Sequence, residues 1–301
     1  MSQYHSTSVA VFAHNEADGI AANIRAIQNA GLGADDLVFV LINGTTDTTE
    51  SIVAAMAQDD PRIRPVVIEL GDKANAWSFY VNHLAPQASD LHVFVDGDVQ
   101  VSKGAFDEIH ASLAVHPEAM AASTLPRGGR TAKAWARRIL HHHGMPGNFY
   151  ALRGETLARI KAQSINMPVG LIGDDPFLRW LLLSGLEPGA RPDPARIRPV
   201  PNATFTYQSI PITSWRGLRA LWARQMRYQL RDLQMNLLRE HLTTYGLSAM
   251  PRRIDSLYDR ATPLMALKGQ IKLRKLAFFY TYLRARASRA RPLRAAAWYE
   301  K

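Results

Sequence analysis

The chain has 301 residues, 47% of them hydrophobic and 21% charged, which suits one large folded domain or a domain carrying an appendage. It has no cysteine, so disulfides and thiolate metal sites are excluded, and a reducing, cytoplasmic setting is expected. The net charge of +10 is uneven, −4 over residues 1–200 and +14 over 201–301, so the basic character belongs to the last third.

The opening stretch MSQYHSTSVAVFAHNE lacks the basic and long apolar regions of a signal peptide. No run reaches the roughly 18 apolar residues that span a bilayer. Apolar runs at 8–13, 37–42, 63–70 and 91–96 alternate with helically spaced residues, first Ile20, Ile24 and Ile27, then Ile52, Val53 and Met56. That alternation predicts βαβ units and a mostly parallel α/β sheet flanked by helices, with the ligand crevice at the carboxyl ends of the strands. Polar groups cluster after the runs, at His14-Asn15-Glu16, Asn43-Gly44-Thr45 and Asp96-Gly97-Asp98. Segments 124–130 and 141–148 read as loops. The proline-rich stretch 187–201 reads as the end of the core, dividing the chain into 1–205 and a helical, basic 206–301. Within the latter, 213–245 and 255–290 read as arginine-rich helices.

No G-x-G-x-x-G follows the first strand and no G-x-x-x-x-G-K-[ST] loop exists, so a nucleotide must be held another way. The sharpest feature is VFVDGDV (93–99), a buried strand with carboxylates at i and i+2 at its end. Oxygen ligands of this kind suit Mn²⁺ or Mg²⁺, which complete their shell with substrate phosphates and water. The plain alternative is an Asp-Gly hairpin between two strands.

Taken in order, the motifs resemble those of the family 2 glycosyltransferases over about residues 7–230. VAVFAHNEADGI looks like the opening strand and its Asn-Glu turn, bringing Ala13, Asn15 and Glu16 to the donor. LINGTTDTTESI is similar to the family's VDDGSTDGT segment, with Asn43 at a base-contacting position and Leu41-Ile42 replacing the acidic start. GDKANAWSF resembles the lysine segment, with Lys73 and Asn75 matching and Ser78 where asparagine is common. Asp96 and Asp98 fall at the D-x-D, implying ribose contact for the first and metal ligation chiefly by the second. GNFYALRGETL (147–157) looks like the segment under the acceptor, which implies roles for Gly147, Asn148 and Tyr150. GLIGDDPFL is similar to the Glu-Asp motif, with Asp174 in the glutamate position and Asp175 in that of the catalytic base. RQMRYQ resembles Gln/Arg-x-x-Arg-Trp, with Arg224 and Arg227 on the donor and Tyr228 in place of tryptophan on the acceptor side.

The resemblance implies a GT-A fold, inversion at the anomeric carbon, a UDP-sugar donor and a hydroxyl acceptor that is lipid-linked or a polysaccharide. A hydroxyl needs a carboxylate to take its proton during attack, the part expected of Asp175. Taken alone, Asp174-Asp175-Pro176 also reads as a helix start, and Arg224 with Arg227 as a solvated helix face.

Of His141, His142 and His143, one, His143 by choice, is a candidate to complete the metal's shell, against loop histidines without a role. Trp77, Trp180, Trp215 and Trp222 read as core or acceptor-lining aromatics. Leu264, Leu267 and Ile271, beside Lys268, Lys272 and Lys275 and followed by five arginines between 284 and 294, suit a basic amphipathic helix on an anionic membrane or one packed on the domain. Nucleic acid is the weaker partner, because no binding module accompanies the charge. The rival activities are a sugar-nucleotide pyrophosphorylase, which wants a glycine-rich N-terminal loop that this chain lacks, and a non-catalytic nucleotide-sugar-binding protein.

Overall fold

The computed structural model describes residues 6–129, 131–207 and 215–260, the side chains of 215–221 excepted. The first half alternates as expected: β1 (Thr7–Ala13), α1 (Ile20–Gln28), β2 (Leu37–Asn43), α2 (Thr49–Asp59), β3 (Ile63–Ile68), α3 (Lys73–Phe79) and β4 (Leu91–Asp96). There follow β5 (Val99–Val101), α4 (Ala105–Ala114), β6 (Ala121–Pro126), α5 (Ala132–His142), β7 (Phe149–Arg153), α6 (Gly154–Ala162), α7 (Asp174–Leu183), β8 (Ile197–Tyr207) and α8 (Trp215–Tyr245).

All eight strands form one sheet in the order β3-β2-β1-β4-β7-β6-β8-β5. The β3-β2-β1-β4 half is parallel. The other half is mixed: β7 is antiparallel to β4 and β6, β8 is parallel to β6, and β5 is antiparallel to β8. Strand alternation sends Ala10, Phe12 and Phe94 into one core layer and Val9, Val11, Val93 and Val95 into the other. The 3.6-residue spacing of Ile20, Ile24 and Ile27 buries α1 against the second layer, while Trp77 on α3 packs into the first.

The Asp96–Val99 link is not a hairpin, because β4 pairs with β1 and β7 while β5 pairs with β8. In a flat sheet, four strand spacings of about 4.8 Å would separate β4 from β5 by roughly 19 Å. Residues 96 to 99 reach about 11 Å at most. The sheet therefore curls back on itself, and Asn23 pins the join by donating from Nδ2 to the carbonyls of Asp96 (2.9 Å) and Val99 (2.6 Å).

Three expectations need correction. Thr124, Leu125 and Pro126 belong to β6 rather than to a loop, and His141 and His142 close α5. The proline-rich stretch does not end the core but runs into β8, which lies inside the sheet. Pro199 and Pro201 are accommodated where the β6–β8 register shifts between Ser123 and Leu125. The second half of α8 joins the main core through Leu233, Leu237, Leu238 and Leu242. The proposed basic membrane helix beyond residue 261 lies outside the described residues.

Candidate active site

The carboxyl ends of β1, β2 and β4 converge, as the switch-point rule requires. At their centre stands Lys73, in the first turn of α3. That helix starts where it does because the Asp72 side chain accepts the Asn75 N–H at 2.7 Å. The second Asp72 oxygen accepts the Gly170 N–H at 2.7 Å, tying α3 to the loop that leads into Asp174. Lys73 Nζ lies 2.6 Å from Asp96 and 3.2 Å from Asp174, and donates to the Gly147 carbonyl at 3.0 Å. Asn148 Nδ2 donates to the other Asp96 oxygen at 3.3 Å, and the Asp96 N–H donates to the Asn148 carbonyl at 2.9 Å. Five sequence-expected residues thus form one network around a single ammonium.

Asp175 adjoins it. A Cβ on Gly147 would lie 3.0 Å from Asp175 Cβ and 3.2 Å from its Cγ, so the glycine lets the 147–148 segment pass against the carboxylate. Burial, then the Asp174 charge, holds the Asp175 carboxyl well above the usual carboxylate range, against the pull of Lys73 and Arg231. The same causes act on Asp96, which burial pushes up to about 6 despite Lys73.

A second acidic group surrounds the D-x-D turn. Asp98 is exposed there. Gly97 donates its N–H to the Phe12 carbonyl at 2.8 Å, and a Cβ on it would meet Glu16 at 3.1 Å. Glu16, in the turn that leads into α1, is pushed up to about 7 by burial and then by Asp98, Asp96 and Asp47. Among the described residues Lys73 pairs with Asp96, and no salt bridge is formed by Glu16 or Asp98; such an acidic cluster, with Asp98 exposed at the crevice, fits a hard divalent ion that draws its remaining ligands from phosphates and water. Among the described residues no three His, Asp or Glu side chains are placed to hold a metal by themselves. His143 caps α5 in the left-handed region (φ 48°) and its Nδ1 donates to the Ile197 carbonyl at 2.9 Å.

On the side where the sequence leads one to expect the nucleotide, Ala13 is buried at the end of β1 and Asn43 at the end of β2, with Asn43 Oδ1 unpartnered among the described residues. His14 Nδ1 donates to the Asn43 carbonyl at 2.7 Å, and Asn15, at φ 56°, accepts the Thr46 N–H at 2.8 Å. Gly44 has φ 58° and lies against Gly71, where a Cβ would meet backbone at 2.4 Å.

The acceptor-side expectations divide. Gly147 and Asn148 stand in the site, whereas Tyr150, 1% exposed, lies beneath it. Its ring stacks on Phe94 at 4.9 Å and its hydroxyl accepts the Trp77 Nε1–H at 3.1 Å. Trp222 is 61% exposed and so is not core. Arg224 donates from Nε to the Tyr228 hydroxyl at 2.5 Å, Arg227 is exposed, and both stand on the outer half of α8.

The residue joining that half to the site is Arg231, which the motif reading missed. Its guanidinium lies 4.8 Å from the Tyr228 ring centroid, and its stem fills the space a Cβ on Gly173 would need, at 2.6 Å. Its position seven residues after Arg224 was the available signal. Gln234 was also missed: its Oε1 accepts the Ile172 N–H at 2.8 Å, and its Nε2 donates to the Gly170 carbonyl at 3.0 Å and the Tyr258 hydroxyl at 2.7 Å.

Comparison with solved structures finds the same fold in several proteins. A mannosyltransferase from Pyrobaculum calidifontis, in complex with GDP-mannose and Mn²⁺, aligns with a TM-score of 0.58 at 19% identity, over 97% of this chain and 78% of that one. S. aureus TarS residues 1–349, in complex with UDP-GlcNAc, aligns at 0.51 and 14% identity, over 94% and 91%. Glucosyl-3-phosphoglycerate synthase from Mycobacterium tuberculosis, in complex with Mn²⁺, UDP and glucosyl-3-phosphoglycerate, aligns at 0.51 and 22%, over 75% and 80%. No curated protein sequence matches the chain. The family model for Glycosyl transferase family 2 matches residues 8–170, more than half of the chain and the whole stretch from β1 through the Lys73 and D-x-D segments. The protein belongs to glycosyl transferase family 2 and has the GT-A fold.

Proposed function

We propose that this chain is an inverting, divalent-metal-dependent transferase. It moves a sugar from a nucleoside diphosphate donor, by preference a UDP-sugar, to a hydroxyl of a lipid-linked or polysaccharide acceptor. The observation that carries this reading is the placement of Asp175: a largely buried carboxylate beside Gly147 and the Lys73–Asp96–Asp174 network, at the carboxyl ends of the strands.

Asp175 accepts the acceptor hydroxyl proton as the oxygen attacks the anomeric carbon from the face opposite the leaving group. The new C–O bond forms as the bond to the diphosphate breaks, and the diphosphate leaves with that electron pair. Asp98, with Asp96 beside it, would hold Mn²⁺ or Mg²⁺, and the ion would supply positive charge to offset that of the departing diphosphate. Arg224 and Arg227 are suited to the same phosphates through their guanidinium forks. Lys73 fixes the carboxylates around which the donor is oriented, and Asn43 offers an unpartnered buried acceptor to the base. The basic segment 262–301 is assigned to an anionic membrane surface, which places the protein peripherally in the cytoplasm. Loss of binding to anionic liposomes on deleting 262–301 is the expected result, and unchanged binding would remove that assignment.

The test of the transferase reading is nucleotide release from UDP-, GDP- and dTDP-sugars with and without Mn²⁺ or Mg²⁺, repeated in Asp98→Ala and Asp175→Asn. Metal-dependent release from one donor, lost in both variants, is expected. Failure of every donor to bind in the presence of metal would overturn it.

A further inference from the structure

Arg179 and Arg239, both outside the network, stand without an anionic partner among the described residues. Arg179 lies on α7 one turn beyond Asp175, on the same face. It donates from Nε to the His143 carbonyl (2.9 Å) and from an Nη to the His142 carbonyl (2.7 Å), which fixes its fork against the end of α5. Arg239, from the buried half of α8, places its guanidinium 5.8 Å from the Trp180 ring centroid, and its Nε is buried with no hydrogen-bond partner. Burial holds both guanidiniums below their ordinary range, and the Arg179 charge adds to the effect on Arg239. Among the described residues neither forms an ion pair. Arg62 and Arg253, by contrast, are matched with Asp60 and Asp255, each at 2.8 Å.

Half-buried like charges without a counter-ion are unfavourable as they stand, and an anion lying between the two guanidiniums, taking the Arg239 fork and the Arg179 N–H groups not held by α5, reverses that sign. Phosphate has the geometry: guanidinium binds it bidentately, and an unpartnered Nε–H is one half of such a fork. At 1.5 Å rise per residue, the four residues from Asp175 to Arg179 span about 6 Å. The approach is shared, because α7 and α8 lie side by side, Arg231 against Gly173 at one end and Arg239 over Trp180 at the other.

We propose that Arg179 and Arg239 form a phosphate subsite, and that, on the reading of Asp175 as the base, it receives a phosphate group carried by the acceptor about one helical turn from the attacked hydroxyl.

The experiment is a titration of the full chain with inorganic phosphate, in the presence of saturating UDP and Mn²⁺, comparing wild type with Arg239→Gln and Arg239→Lys. Saturable binding is expected, weakened at least fivefold in Arg239→Gln and less in Arg239→Lys, which keeps the charge but not the fork. UDP affinity should be unchanged, since Arg239 is no part of the donor site. Near-UV circular dichroism shows that the variants are folded. Phosphate affinity that is unchanged in Arg239→Gln while its melting temperature falls would make Arg239 a packing strut and overturn the proposal. Vesicles with and without anionic phospholipid identify the source. Displacement of bound inorganic phosphate by anionic vesicles places the group on a lipid, and vesicles that bind without displacing phosphate place it on a soluble acceptor. No turnover is needed, so a failure of Asp175→Asn to abolish nucleotide release would remove the base assignment and leave the subsite standing.

Discussion

Lys73 and Asp174 lie 3.2 Å apart, although 101 positions separate them in the chain, and this contact joins the strand-end half of the site to α7, the helix that carries the proposed base Asp175. The same ammonium also holds Asp96 at 2.6 Å. Lys73→Met leaves both carboxylates uncompensated. The expected cost is about 1–3 kcal/mol of stability, on the scale of hydrogen bonds to charged groups, with at least a tenfold fall in kcat. Thermal melts and steady-state kinetics check it, and an unaltered kcat would show that the bridge is dispensable for turnover.

Gly147→Ala tests the close approach to the base. The new methyl would sit 3.0 Å from Asp175 Cβ, so the carboxylate or the 147–148 segment must shift. The shift needed is a few tenths of an ångström, a fraction of the roughly 1 Å that costs a hundredfold, so a loss of about tenfold in rate is expected. The expected outcome is a fall in kcat with little change in the affinity for UDP, and equal losses in both would place the damage elsewhere.

Because burial and Asp174 raise the Asp175 carboxyl and Arg231 lowers it, the rate should rise with pH as Asp175 loses its proton. Removing the cation with Arg231→Gln raises that carboxyl further, so the acidic limb of kcat/KM moves to higher pH. A limb that stays in place would exclude the electrostatic link between Arg231 and Asp175.

Glu16 makes a prediction about stability. Its carboxyl rises from 4.5 in the unfolded reference to about 7 in the folded protein. The folded state therefore binds the extra proton, and stability should decline as pH rises across that window. Melting temperatures measured from pH 4.5 to 8 should show a flatter profile in Glu16→Gln. Mn²⁺ should raise the wild-type melting temperature more at pH 8 than at pH 5, since protons and metal compete for the same carboxylates. Identical pH profiles for wild type and variant would refute the account.

The parallel half of the fold was legible because its signals are local. Four apolar runs with helices between them appear as β1 to β4, and the D-x-D context places Asp96 and Asp98 at a strand end. The mixed half was hidden for physical reasons. The β6 sequence AASTLP is alanine-rich and short of β-branched residues, and β8 carries two prolines that normally argue against an interior strand. Motif order identified Lys73, Asp174 and Gly147, which the fold unites. It did not reveal Arg231, Gln234 or Arg239, whose roles depend on how α8 lies against α7. Tyr150 and Trp222 show the converse, since an aromatic residue's type does not say whether it lines a surface, underlies it or stands in solvent.

The loop before Asp174 is moored from far along the chain. Val169 bridges to Arg253, its N–H donates to the Arg252 carbonyl at 3.0 Å and its carbonyl accepts the Ile254 N–H at 3.1 Å, while Gln234 holds Gly170 and Ile172. The span recognised by the family model stops at residue 170, short of Asp175, the proposed base, and of the residues that moor the loop. The smallest piece of this protein able to work as an autonomous catalyst therefore extends to about Tyr258, whose hydroxyl closes the clamp on Gln234. A shorter piece would keep the parallel half of the sheet intact and leave the proposed proton acceptor adrift.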